Sequence, residues 1–90
     1  MINPVDHPVG WALLLYELED ANEHLGDLIR DMVADADYSD EVLRVQLGHV
    51  YAHLNRAWCR RNVTEDFSKE NYDEQWDKAT KFPNDIEPLS

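Results

Sequence analysis

The sequence predicts an all-α protein: an antiparallel helical hairpin followed by a short third helix. Trp11, Leu14, Leu18, Ala21, Leu25, Leu28 and Met32 recur every three or four residues, and Leu43, Leu47, Val50, Leu54 and Ala57 repeat the pattern. Such spacing lays one apolar stripe along each helix. Between them lies a single short acidic turn, Asp35-Ala36-Asp37-Tyr38-Ser39-Asp40. A turn of that length folds the second stripe back on the first.

Residues 1–6 read as an extended arm. Asp6-His7-Pro8 is a helix start, because proline in the first turn lacks only an N–H that has no partner there. The first helix is expected over about residues 8–36, with Gly26 marking close packing in its interior. Ser39 is a good N-cap, and Asp40 and Glu41 suit the positive end of the second helix, expected over about 40–62. Arg60 and Arg61 then meet its negative end. A connector, 63–67, leads to a third helix beginning after Ser68 and spanning about 69–81, whose narrow stripe docks through Trp76. Phe82-Pro83 stops it. The irregular tail, 82–90, offers Phe82, Ile86 and Leu89 as stitches to the bundle.

Ninety residues make one domain, 1–90. So small a chain builds a thin core and commonly needs a disulfide, a metal or a partner copy. The one cysteine, Cys59, excludes an internal disulfide and points to a reducing, cytoplasmic setting. No stretch reads as a signal peptide, and the apolar run from Trp11 to Tyr16 is far too short to span a bilayer.

The net charge of −11 is unevenly spread. Residues 8–38 carry −7, residues 39–63 carry +2 and residues 64–90 carry −5, with Asp6 supplying the remaining −1. Direct binding of nucleic acid is excluded by repulsion from the phosphate backbone. A basic protein partner suits the acidic surface.

On a helical wheel the second helix has a small face opposite its apolar stripe: Val45, Gly48, Ala52 and Cys59. That face needs cover, from the third helix or from a second copy. The expectation is a homodimer in which two hairpins pair through this face into a four-helix bundle.

One sector of the second helix is polar. His49 and His53 lie one turn apart there, and hairpin geometry brings His24 of the first helix to the same side. Glu17, Arg56 and Arg60 extend this groove, with Glu17 read as an ion-pair partner of the arginines and Asp20 and Glu23 placed on the far side. Three imidazoles at one level suit a divalent metal such as zinc. The zincin pattern H-E-x-x-H is absent, since the segment reads His49-Val50-Tyr51-Ala52-His53, and carboxylates are too few for a di-iron bundle. Arg56 beside the histidines argues against a cation. Nor does a glycine-rich phosphate loop or a cysteine–histidine pair suggest catalysis.

From sequence alone, then, the leading reading is a small acidic protein–protein interaction module without catalytic activity or cofactor. The alternative is a small metal-binding protein or metal-dependent hydrolase using His24, His49 and His53.

Overall fold

The computed structural model describes residues 1–66, 72–81 and 85–88. Helix α1 runs Pro8–Ala34, α2 runs Asp40–Cys59 and α3 runs Tyr72–Thr80, with no strand among the described residues. The all-α fold, with a long helix pair and a short third helix, is the one the periodicity predicts. α1 and α2 pack along their length, and α3 packs on α2.

Both long helices end slightly earlier than expected. α1 closes on Asp31 and Asp35 with no basic residue in its last turn, so acidic charge sits where the helix dipole disfavours it. The Asp35 side chain then accepts from the Asp37 N–H at 2.9 Å and starts the turn. α2 gives way beyond Cys59 to tighter bonds, Arg61 N–H to Trp58 O at 3.2 Å and Val63 N–H to Arg60 O at 3.0 Å. These satisfy carbonyls that a helix end leaves open. At the start of α2, Ser39 Oγ accepts from the Val42 N–H at 3.3 Å, the cap foreseen from sequence.

The N-terminal arm is not extended. Asn3 Oδ1 accepts from the Val5 and Asp6 N–H groups at 3.0 and 2.8 Å, which bends the chain. Ile2 is thereby buried beside Leu14 and Ala57, with Trp11 packed on the group, and its N–H donates to Arg61 O at 2.9 Å. Close approach occurs at Gly10 rather than Gly26. A Cβ on Gly10 would stand 2.2 Å from Val63 O, whereas one on Gly26 would meet only the end of the Arg30 side chain at 3.5 Å.

α3 docks differently from expectation. Its peg is Ala79, 1% exposed, while Trp76 stays 38% exposed with the Arg56 guanidinium 4.5 Å from its ring. Asn55, buried on α2, donates to the carbonyls of Lys78 and Lys81 and so caps the end of α3. The Trp58 indole N–H donates to Asp85 at 3.0 Å, and the Arg61 guanidinium lies 3.8 Å from its ring. Ile86 is largely exposed. The expected Ser68 cap, the Phe82-Pro83 stop and the Phe82 and Leu89 stitches fall outside the described residues.

The small face of α2 is divided. Ala52 is buried and Cys59 half-buried on the side where Asn55 holds α3, but Val45 is exposed and a Cβ on Gly48 would meet open space.

Candidate metal centre

Burial along α1 falls on Gly10, Leu14, Glu17, Ala21 and Leu28, the line that faces α2. His24 stands at the edge of that line, where Leu28 and Ala21 keep the two helices close. On α2, Val50, His53, Arg56 and Ala57 form the facing line. His24 faces both His49 and His53 across the hairpin, as its placement on the same side predicts.

The three imidazoles converge. His49 Nε2 lies 3.1 Å from His24 Nε2 and 3.3 Å from His53 Nε2. One ligand atom from each of the three lies within 4.8 Å of the others. The rings of His24 and His53 are nearly parallel at 5.1 Å, and His49 stands edge-on to both at 4.2 and 4.8 Å.

Behind His53 lies a charged clasp. Glu17 Oε2 is 2.7 Å from His53 Nδ1, and Arg56 Nε donates to both Glu17 oxygens at 3.1 Å. Glu17, His53 and Arg56 are all buried. Arg56 Nη2 also lies 3.0 Å from His53 Nδ1. Of the two contacts the carboxylate decides the tautomer, since a lone pair facing a carboxylate at 2.7 Å would repel it. We therefore assign the Nδ1–H tautomer to His53, which aims its Nε2 lone pair at His49.

That assignment leaves the cluster short of protons. Each ring nitrogen has one in-plane position, filled by a proton or by a lone pair. His49 Nε2 has two short nitrogen neighbours and can make a full hydrogen bond to only one of them. A cation resolves the conflict by accepting all three lone pairs. The spacing suits it: four ligands about 2.0–2.1 Å from zinc in a tetrahedron lie about 3.3 Å apart along each edge.

Arg56 does not oppose such a cation as sequence reasoning implied. Its charge is neutralised by Glu17 on the Nδ1 side of His53, and Nη1 donates to Thr80 Oγ1 at 3.0 Å. Arg60 is not part of the clasp; it is buried and reaches Asp66 at 3.3 Å. Asp20 is not remote, for one of its oxygens lies within 4.8 Å of ligand atoms of Glu17 and His53. Sequence reasoning missed Thr80 and Asn55, the side chains that tie α3 to this site. Their signal was weak, since both read as ordinary polar residues on helices.

Burial of the ring, then the neighbouring His24, His53 and Arg56, hold His49 below the ordinary histidine pKa, against the opposing pull of Asp20. This keeps it neutral, as a ligand must be. A histidine that protonates less readily folded than unfolded makes the unfolded state bind more protons, so stability falls as pH drops below about 6.5. The melting temperature of metal-free protein is expected to fall over that interval, and less steeply in His49→Gln. Burial and Asp85 push the Cys59 thiol up, outweighing Arg61 and Lys78. Its Sγ contacts Asn55 Oδ1 at 3.7 Å.

No helix of the described residues is long and apolar enough to cross a membrane. No protein family, curated protein or solved structure matches this chain.

Proposed function

We propose that this protein is a small helical metal-binding protein that takes one divalent transition metal, zinc foremost, through Nε2 of His24, His49 and His53. One observation carries the reading: His49 Nε2 lies 3.1 and 3.3 Å from the Nε2 atoms of His24 and His53, close to the edge of a zinc ligand tetrahedron, with too few protons to satisfy all three rings. This favours the three-histidine alternative over the interaction module that composition alone put first.

The chain's residues divide the work. His24 and His49 supply nitrogens from the surface edge of the groove, and His53 supplies one from the buried side. Glu17 fixes the tautomer and orientation of His53, the role of an outer carboxylate in histidine metal sites. Arg56 holds Glu17 in place. Neutral imidazoles suit zinc, copper, nickel and iron, and three protein ligands leave a further position for water or another ligand. His24 and His49 themselves line a groove of about 510 Å³, together with residues that include Gln46, Gly48, Ala52 and Thr80.

The test is an equilibrium zinc titration against a chromophoric chelator, with an expected stoichiometry of one ion per chain. Failure to compete for zinc, nickel or copper would overturn the reading. Glu17→Gln is expected to weaken binding by about 10–100-fold while leaving the stoichiometry unchanged, because it removes the partner of a ligand rather than a ligand.

A further inference from the structure

We propose that the hairpin flank opposite the histidines is the interface with a second copy of this chain, closing a four-helix bundle. Beside the buried line of α1, about a quarter-turn away, run Leu18, Leu25, Ile29 and Met32; beside that of α2 lie Tyr51 and Leu54. These six side chains are between 40% and 56% exposed. The chain thus places more large apolar surface on this flank than in its core cluster, which is Ile2, Leu14 and Ala57 with Trp11 packed on them.

The areas match a dimer. The chain exposes 6907 Å², against roughly 5,400 Å² for a compact monomer of its 10.5 kDa mass. Its radius of gyration is 15.1 Å, where a compact chain of this length has about 12 Å. At about 200 Å² for each large side chain, the six residues present on the order of 500 Å² of apolar surface. Two such flanks supply on the order of 1,000 Å², most of the roughly 1,200–2,000 Å² that a stable interface buries, and Leu43 and Leu47 beside them add to it.

A second copy is the occupant that fits. The flank is built from two antiparallel stripes, so a two-fold axis running along it lays α1 of one copy on α2 of the other. Apart from the buried Glu17–Arg56 pair, α1 bears five acids against Arg30, whereas α2 bears Asp40 and Glu41 against Arg44. Seating α1 beside the partner's α2 therefore avoids pairing two acidic rods. A concavity of about 380 Å³ around Leu43, Leu47 and Tyr51 gives room for partner side chains. The histidines lie on the other flank and stay uncovered, so the dimer and the metal reading stand or fall separately.

The experiment is sedimentation equilibrium across a micromolar concentration series on wild-type protein, Tyr51→Arg and Ile29→Arg. Tyr51 is 46% and Ile29 56% exposed in the single chain, and neither belongs to its core cluster. Wild type is expected at twice the 10.5 kDa chain mass, and both variants at one chain mass with zinc stoichiometry unchanged. A wild-type mass of one chain throughout would assign the flank to some other partner and overturn the proposal. So would dimers that survive both substitutions. If one variant fails to fold, the other decides the face, and a wild-type mass of one chain overturns the proposal by itself.

Discussion

His53→Ala is expected to abolish stoichiometric zinc uptake, lowering affinity by more than the roughly 100-fold that losing an outer partner costs. His53 is the hinge of the site. Its Nε2 faces His49 at 3.3 Å and its Nδ1 faces Glu17 at 2.7 Å, so one ring joins the ligand set to the clasp. Alanine removes a ligand and also leaves Glu17 without the imidazole that shares its charge with Arg56. His24→Ala and His49→Ala remove one nitrogen each from the groove edge and spare the clasp. Chelator competition on the three variants, with helix content followed by circular dichroism, separates lost ligation from lost folding. Uptake unchanged in all three would place any metal elsewhere.

The largest effect on stability is expected at Gly10. Helix propensity alone favours alanine there by up to about 1 kcal/mol. Packing decides the opposite sign, because the added Cβ would stand 2.2 Å from Val63 O and 2.8 Å from Thr64 O. Both are backbone atoms, and the Gly10 N–H already donates to Thr64 O at 3.0 Å, so relief requires the chain after α2 to move. Overpacking of this kind costs about 1–3 kcal/mol or more. For a domain of this size, a net loss near the top of that range lowers the melting temperature by on the order of 10–20 °C. Gly10→Ala, measured beside Gly26→Ala, makes the comparison internal. Gly26 has room for a Cβ, so its alanine variant is expected to be neutral or more stable.

The hairpin was legible in the sequence because periodicity reports directly on which side of a helix is buried. The convergence of His24, His49 and His53 followed from the same reasoning. The ion pair of Glu17 with Arg56 followed from the same wheel, but not the reach of Glu17 to His53 or the turn of Arg60 to Asp66 instead. Arg56 therefore read as a reason against a cation when it is a neutralised support. The anchor of α3 was likewise hidden. Trp76 is the bulkiest residue of that helix, yet Ala79 and Asn55 do the docking, since a small residue and a carbonyl-seeking amide allow closer approach than an indole. Gly26 and Gly10 were equivalent as letters; only the chain returning after α2 distinguishes them.

The central claim is that three imidazoles form one metal site. X-ray absorption at the zinc edge of protein loaded with one equivalent tests it most directly. The expected spectrum has three imidazole nitrogens at about 2.0–2.1 Å, with the multiple-scattering signature of histidine rings. A shell of oxygens without imidazole scattering, or zinc that does not remain with the protein through gel filtration, would contradict it.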